Sequence, residues 1–270
     1  MHVLEEWRVA AEQDGDTGTP EGQAMIELLW NPPTPPARGP KQRLTLDRVV
    51  AAGIAVADRH GVAELSMRRV AQELGVGVMS LYTYVPGRDE LFELMIDRAW
   101  GGRALPDRGL PWRTQVEFHV EQAWQMYTDH PWLIMSNLWR MPLGPHVLDV
   151  QEDLYRAVLA AGLDAHTTVR VTAMLEAHVF AATRSEIVDT SQSARTGVTA
   201  DDYWASRAGF WTTYYSAERF PTMTRLWEAG AFDGDVAEAD GESWRFGLRL
   251  LLDGVERLAA ERAGTGDAAP

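Results

Sequence analysis

LSMRRVAQELGVGVMSLYTYV, residues 65–85, contains the pattern that decides the fold of this chain. Ser66 is a suitable N-cap for a short helix, because its hydroxyl can accept a hydrogen bond from a free backbone N–H of the first turn. Gly75 stands where such a helix needs a left-handed C-terminal residue. Between them an apolar stripe recurs at helical spacing: Val70, Ala71 and Leu74. The pattern predicts a first helix that opens at Ser66 and stops at Gly75-Val76-Gly77.

A second short helix is predicted from about Val78 to Tyr84. Leu81 and Val85 form its one buried row, and Val76 supplies an apolar contact between the two helices. Two short helices joined at a sharp angle by a glycine turn are typical of a helix-turn-helix. The remaining positions form an outward surface that is unusual for a plain scaffold: Val78, Met79, Ser80, Tyr82 and Tyr84.

Two further helices flank this motif. Helical spacing of apolar residues predicts one from about Leu46 to His60, ended by Gly61, and one from about Arg88 to Trp100 after the Pro86-Gly87 turn. A short helix with one apolar face is not stable alone, so we expect these helices to pack on the central pair.

The run from Leu46 to Trp100, with its LSMRRVAQELGVGVMSLYTYVPGRDELFELM core, resembles the N-terminal DNA-binding domain of the TetR family of transcriptional repressors. The resemblance implies a DNA-binding domain over residues 44–102. It also implies a homodimer that reads a pseudo-palindromic operator in double-stranded DNA and responds to a small-molecule effector. Repression is the usual behaviour that the family implies.

The same resemblance implies the residues that contact DNA. Val78, Met79 and Ser80 would read base edges in the major groove, with Arg68 as a planar donor suited to guanine. Tyr82 and Tyr84 would contact phosphates and sugars, joined by Arg88 and by Ser66 or Lys41. Alternatives remain open: Met79 as partly core, Tyr84 packed on the fourth helix, and Arg69 paired only with Glu73.

Composition limits the remaining possibilities. The 270 residues carry a net charge of -14, yet the acidity is uneven: residues 1–37 and 101–270 are acidic, whereas residues 38–100 are close to neutral. A distant acidic body is screened at physiological salt, so the charge is compatible with DNA binding. The absence of cysteine, of an export signal and of a membrane-spanning apolar run predicts a soluble cytoplasmic protein.

The ends of the chain are predicted to be flexible. Residues 1–43 are acidic and then proline-rich, and residues 263–270 form a short tail. Arg38, Lys41 and Arg43 precede the first helix of the domain. They belong either to a solvated linker or to a basic arm that reaches a minor groove, which is the less favoured of the two interpretations.

Residues 110–262 show helical spacing throughout and predict an all-α domain. Its layout resembles, more loosely, the C-terminal domain of the tetracycline repressor, and this resemblance implies that it binds the effector and forms the dimer. In such a dimer, a four-helix bundle is expected to form from two helices, Thr168–Asp189 and Trp244–Leu258, and the same two helices of a second subunit. Aromatic and polar residues suggest an effector pocket for a flat, largely apolar ligand: Trp112, Trp124, Trp132, Asn137, Arg170, His178 and Trp211. For any one of them, filling the core is the more common role.

Other function classes have little support in the sequence. The motifs typical of hydrolases, metalloproteases, nucleotide-binding and dinucleotide-binding enzymes are missing, so neither an enzyme nor a bound cofactor is expected. No histidine pair has metal-ligand spacing on one helix, although histidines of different helices could meet in space. A helical adaptor or ligand-binding protein with a vestigial helix-turn-helix stays as the alternative function.

Overall fold

The structure is a computed structural model that describes residues 19–33, 44–135, 141–232 and 236–266. Every regular element in these residues is helical, which confirms the all-α prediction. The chain divides into two compact units. The first holds the residues up to Leu105 together with Asp129–Asp153, and the second holds Pro106–Thr128 and the residues from Leu154 onward.

Three helices form the core of the first unit: α2 (Leu46–His60), α3 (Met67–Leu74) and α4 (Arg88–Gly101). Thr45 caps α2 by accepting the Arg48 N–H at 3.2 Å. The apolar faces predicted for α2 and α4 are buried, and α2 packs on both α3 and α4. This part of the fold agrees with the sequence prediction to within about a residue at each helix end.

An additional helix precedes this core. Helix α1 spans Pro20–Trp30, within the segment that the sequence predicts to be flexible, so that prediction is wrong for these residues. Thr19 caps the helix by accepting the Gly22 N–H, and Pro20 occupies its first position, where no N–H is needed. Met25 and Leu29 are buried. Two buried side chains on one face give the helix the tertiary support that its length alone would not provide.

Residues 129–153 belong to the first unit, although the sequence places them in the C-terminal domain. They contain the short helix α6 (Trp132–Met135) and the start of α7 (Pro145–Leu159). Trp132, Leu133 and Ile134 are almost fully buried. The two compact units therefore differ from the segments 44–102 and 110–262, which stay a proposal for the domains.

The second unit is built around long helices: α5 (Trp112–Asp129), α8 (Ala165–Thr196) and α12 (Val236–Gly266). Helices α8 and α12 pack on each other. Helix α8 continues past the predicted end near Asp189 until Gly197, whose φ of 67° is left-handed. Serine and threonine before Gly197 weaken a helix only slightly, so the polar run does not stop it. Helix α12 extends into the predicted tail, to Gly266.

Arg113 joins α5 to α12. Its guanidinium contacts Asp253 at 2.8 Å and Glu256 at 3.0 Å on α12, and Glu117 at 3.2 Å on its own helix. Partial burial alone would lower the pKa of Arg113, but the three carboxylates outweigh it and raise the pKa above its ordinary value. The guanidinium thus connects the two helices through charge-assisted hydrogen bonds.

Three short helices connect α8 to α12: α9 (Ala200–Ala205), α10 (Gly209–Thr213) and α11 (Pro221–Glu228). Their aromatic rings contact one another, as in the pair Trp211–Trp227 at 4.9 Å between centroids. Even so, no side chain described in Gly197–Phe232 is buried.

Candidate nucleic-acid interface and ligand pocket

Ser66 and Gly75 delimit the first helix of the helix-turn-helix as predicted. The Ser66 hydroxyl accepts the Arg69 N–H at 3.3 Å, and Gly75 adopts a left-handed conformation with φ of 65°. Val70 and Ala71 are buried, whereas Arg68 points to the exposed side of α3. The local sequence thus fixes where the helix begins and ends, and it leaves Arg68 accessible to a ligand such as DNA.

The second element differs from its prediction. Instead of a helix from Val78 to Tyr84, the chain forms a 3-10 turn over Val78–Ser80 followed by further turns. Gly77 provides no side-chain cap at its start, and Pro86 disfavours helical backbone at Val85. Leu81 and Val85 are fully buried and hold the segment in place.

The outer surface of this segment is available for contact. Met79 is 74 % exposed and Tyr82 is 46 % exposed, and Ser80 is also exposed. Val78 is half-buried. Met79 is therefore not part of the core, which removes that alternative. Together with Arg68, these side chains offer apolar, hydroxyl and guanidinium groups of the kinds that contact base edges and phosphates.

Tyr84 and Arg88 are engaged inside the domain. The Tyr84 hydroxyl donates to the Leu44 carbonyl at 3.0 Å, so it holds the chain that enters α2 rather than packing on α4 alone. Arg88 donates from Nε to the Leu65 carbonyl at 3.0 Å and from Nη2 to the Val62 carbonyl at 3.1 Å. These contacts make both residues part of the support beneath the helix-turn-helix, and the phosphate contacts of Tyr84 and Arg88 stay a prediction.

Several basic side chains of the domain are paired with carboxylates. Arg59 contacts Glu73 at 2.5 Å, and Arg69 contacts Glu64 at 2.9 Å instead of Glu73. On α4, burial raises the pKa of the Glu93 carboxyl, and the neighbouring Glu90 and Asp89 carboxylates raise it further. The predicted basic arm with Lys41, Arg38 and Arg43 lies outside the described residues.

The second unit contains a cavity of about 320 Å³ between α5, α8 and the start of α12. The rings of Trp124 and Trp244 stack beside it, with centroids 4.7 Å apart and planes inclined by 13°. His178 Nε2 donates to the Trp244 carbonyl at 2.8 Å, which fixes the orientation of the imidazole. The lining combines aromatic, small and polar side chains: Trp124, His178, Ala181, Ala182, Ser185, Glu186, Ser243 and Trp244.

Among the predicted effector residues that the structure describes, Trp124 and His178 line this cavity. Trp211 lines a separate cavity of about 480 Å³ formed by α9, α10 and the residues beside them. Trp132 is buried in the first unit, where its Nε1 donates to Asp58 Oδ1 at 2.7 Å, and it lines neither of these two cavities. Arg170 is exposed and Trp112 is half-buried, and neither lines either cavity. Asn137 lies outside the described residues.

The sequence analysis did not predict that small residues on one face of α8 line a cavity, nor that Trp244 lies beside them. His178, Ala181, Ala182 and Ser185 follow the i, i+3, i+4, i+7 spacing of one helical face. A run of small residues beside a histidine was a signal for an opening at that face. Trp244 could not be paired with Trp124 from the sequence, because 120 positions separate them.

Within the described part of the chain, no three His, Asp or Glu side chains are placed to hold a metal ion. The helices described there are all too short or too polar to cross a membrane.

Two family models match the chain. Residues 49–95 match "Bacterial regulatory proteins, tetR family", and residues 105–259 match "Tetracyclin repressor-like, C-terminal domain". The first match covers the helix-turn-helix and the second covers the helices around the cavity. Members of these families are regulators of transcription and not enzymes.

A named relative and two solved structures agree with the assignment to these families. The chain is 38% identical over 252 residues to the HTH-type transcriptional repressor DrrR1 of Streptomyces coeruleorubidus, with 92% of this chain and 90% of that protein covered. Apo ActR of Streptomyces coelicolor superimposes with a TM-score of 0.65 at 28% identity, covering 83% of this chain and 100% of ActR. ActR in complex with actinorhodin gives 0.66 at 26% identity, covering 78% and 95%. The chain belongs to the TetR family of bacterial transcriptional regulators.

Proposed function

We propose that this protein is a homodimeric repressor that binds a pseudo-palindromic operator and releases it when a small, largely apolar or aromatic effector occupies the second unit. The observation that carries the proposal is the exposed surface formed by Arg68, Met79, Ser80 and Tyr82 on a buried helix-turn-helix frame. Repression is supported by the 38% identity to DrrR1, which is named a repressor.

We propose that fewer residues contact DNA than the sequence predicts. Arg68 and Met79 are proposed to read bases, and Ser80 and Tyr82 to contact bases or the backbone at the edge of the same surface. Tyr84 and Arg88 act as supports, because their polar atoms already bind backbone carbonyls. Val78 contributes to the shape of this surface, since its side chain is half-buried. Ser66 caps α3, and a phosphate contact from its hydroxyl would add to that role.

Dimerisation is supported by the two apolar faces of α12. Trp244, Leu248 and Leu252 are buried within the chain, whereas Phe246 and Leu250 on the other side are 56 % and 55 % exposed. Val169 and Met174 on α8 are also exposed. Exposed apolar side chains along two helices that already pack together are typical of a subunit interface. We expect light scattering at micromolar concentration to give twice the 30.1 kDa chain mass; a monomer would contradict the dimer.

The proposed effector site is the cavity beside Trp124, His178 and Trp244. Its two stacked indoles offer a planar apolar wall, and His178 and Ser185 offer hydrogen-bonding groups. The binding of actinorhodin by ActR supports an aromatic effector, and actinorhodin is a reasonable first probe. Calorimetry with the wild type and Ala182→Trp, which should fill the cavity, would compare binding with and without the open site. Equal binding by both would place the ligand elsewhere.

DNA binding is tested by fluorescence anisotropy with the duplex directly upstream of the protein's own gene. We expect Arg68→Ala and Tyr82→Ala to weaken binding by about tenfold or more each, the size of one lost base or phosphate contact. Arg98→Ala is the matched control, because Arg98 is an arginine of the same domain outside the helix-turn-helix and its exposed guanidinium contacts Asp47. If all three variants bind as tightly as the wild type, the proposed surface is not the DNA-binding surface.

A further inference from the structure

The connection between α8 and α12 carries a row of exposed aromatic side chains. Trp204 lies on α9, Phe210 lies on α10, and Tyr214 follows α10 directly. These three residues are called the outer aromatic row. Single exposed aromatic residues are common, but a contiguous apolar surface marks an interaction site. All three side chains line one cavity of about 480 Å³, a volume within the usual range of small-molecule sites.

Other residues hold the connection together. Trp211 contacts Trp227 of α11 with ring centroids 4.9 Å apart, and the Tyr215 and Thr224 hydroxyls are 2.8 Å apart. The Tyr215 ring also stacks on Phe220, with centroids 5.6 Å apart. None of these contacts involves the outer aromatic row. Its rings are therefore not required to join α10 to α11, and they are available for another role.

The rings around the cavity are arranged to receive a flat molecule. Phe210 and Tyr214 are one helical turn apart, and their ring planes are inclined by only 28° with centroids 6.4 Å apart. Trp211 meets Phe210 edge to face, with planes inclined by 78° and centroids 5.2 Å apart. Nearly parallel rings with a perpendicular ring beside them can contact both the face and the edge of an aromatic ligand. This geometry favours an aromatic ring over a flexible aliphatic chain.

Arg207 adds a positive charge in a fixed orientation to the same cavity. Its Nη1 donates to the Tyr203 carbonyl at 3.1 Å and to Ser206 Oγ at 2.8 Å. Its Cζ lies 3.6 Å from the centroid of the Tyr203 ring, which is a cation–π contact. Nε and Nη2 take no part in these contacts, and together they form the edge of a guanidinium that can bind a carboxylate through two parallel hydrogen bonds.

The charges around Arg207 select the sign of the ligand. Among the described residues that line the cavity, none is acidic. Asp202, on the preceding helix, is engaged elsewhere: its Oδ2 accepts the Thr199 N–H at 3.1 Å and the Thr199 hydroxyl at 2.8 Å in the capping box of α9. The cavity therefore combines an apolar aromatic wall with a cation, a combination that suits a ligand carrying a negative charge on a flat ring.

We propose that this cavity is a second ligand site, which binds a planar aromatic anion with its ring against Phe210 and Trp211 and its carboxylate on Arg207. The site shares no lining residue with the cavity at Trp124 and His178, so the inference depends neither on the proposed effector site nor on DNA binding. The competing occupant is a second subunit that covers the outer aromatic row. An apolar interface there would bury the guanidinium at a cost, so the structure favours the anion.

Isothermal titration calorimetry of the whole chain with matched probes tests the site. Naphthoate carries a flat ring and a carboxylate, naphthalenemethanol carries the same ring without a charge, and cyclohexanecarboxylate carries the charge without a flat ring. We expect naphthoate to bind about tenfold more tightly than either of the others, because the aromatic contact and the charge-assisted hydrogen bonds each add to its affinity.

Variants of the cavity assign each part of the binding. Arg207→Gln should weaken naphthoate binding about tenfold and leave naphthalenemethanol binding within about twofold. Tyr214→Ser removes a ring from an exposed position and should weaken the binding of both aromatic probes about threefold. Arg219→Gln is the matched control, because the Arg219 guanidinium lies over the Phe220 ring, 5.3 Å from its centroid, and does not line the cavity. It should bind all probes like the wild type.

Ala182→Trp separates the two cavities, because Ala182 lines only the one beside Trp124. This variant should bind naphthoate like the wild type. Three results would overturn the inference: no binding of naphthoate by the wild type, equal affinity of the wild type and Arg207→Gln for naphthoate, or loss of naphthoate binding in Ala182→Trp but not in Tyr214→Ser. The first would favour a second subunit as the cover of the outer aromatic row, and the last would place the ligand in the proposed effector cavity.

Discussion

Leu46–Trp100 and Gly197–Phe232 are both rich in large apolar side chains, but only the first stretch buries them. Leu81, Val85 and Leu91 are completely buried in the first, whereas Trp204 and Tyr214 remain 57 % and 72 % exposed in the second. Aromatic rings in Gly197–Phe232 contact each other without forming a core. The difference shows that apolar content stabilises a region only when another layer covers it.

The largest expected effect is in the buried region. Leu81→Ala removes a fully buried side chain that anchors the recognition segment. Truncations of this kind cost about 2–5 kcal/mol of the free energy of unfolding. Urea denaturation followed by circular dichroism measures the loss. A loss below about 0.5 kcal/mol, the size expected at a surface position, would show that Leu81 does not anchor the domain.

A smaller effect is expected for the Tyr84 hydroxyl. Tyr84→Phe removes its hydrogen bond to the Leu44 carbonyl and should cost about 0.5–1.5 kcal/mol of unfolding free energy. Operator affinity should change less than about threefold, since the hydroxyl is not proposed to contact DNA. Thermal denaturation and anisotropy distinguish the two roles. Strong loss of DNA affinity at unchanged stability would restore the phosphate contact predicted from the sequence.

The second unit offers a pH-dependent test. The backbone N–H of Thr167, then the Arg262 guanidinium and the Thr167 hydroxyl, lower the pKa of Asp164 from 3.8 to about 2. Because the pKa is lower in the folded state, the stabilisation is complete above pH 3.8 and disappears as the pH falls toward about 2. We expect Asp164→Asn to lower the melting temperature at neutral pH, by an amount that shrinks below pH 4. A difference independent of pH would contradict this assignment.

The smallest effect is expected in Gly197–Phe232. Trp204→Ala should change the free energy of unfolding by less than about 0.5 kcal/mol, because the side chain is more than half exposed. Denaturation at a concentration that keeps the protein monomeric measures this value. A cost above about 2 kcal/mol under these conditions would mean that the stretch is covered within its own chain, and the contrast with Leu46–Trp100 would fail.

The helix-turn-helix was predictable because its signals are local. Ser66, Gly75 and Leu81 specify a cap, a left-handed stop and an anchor within sixteen residues, and each behaves as its spacing indicates. The exception is the recognition segment, where Gly77 and Pro86 at its two ends left too little room for a regular helix.

The candidate pocket and the packing of residues 129–153 in the first unit were less predictable, because the residues in contact are distant in sequence. Trp132 and Asp58 are 74 positions apart, and His146 and Asp97 are 49 apart. Nothing in the sequence near Trp132 distinguishes a buried structural tryptophan from one that lines a pocket. The small-residue face of α8 was the one signal of the cavity that the sequence did contain.

The exposed surface around Arg68, Met79 and Tyr82 is proposed to read a specific operator. The most direct test compares the wild type on the duplex upstream of its own gene with a scrambled duplex of equal length, at two salt concentrations. We predict binding to the upstream duplex about a thousandfold tighter than to the scrambled one, with both affinities falling as salt rises. Equal affinity for the two duplexes at both salt concentrations would contradict the claim.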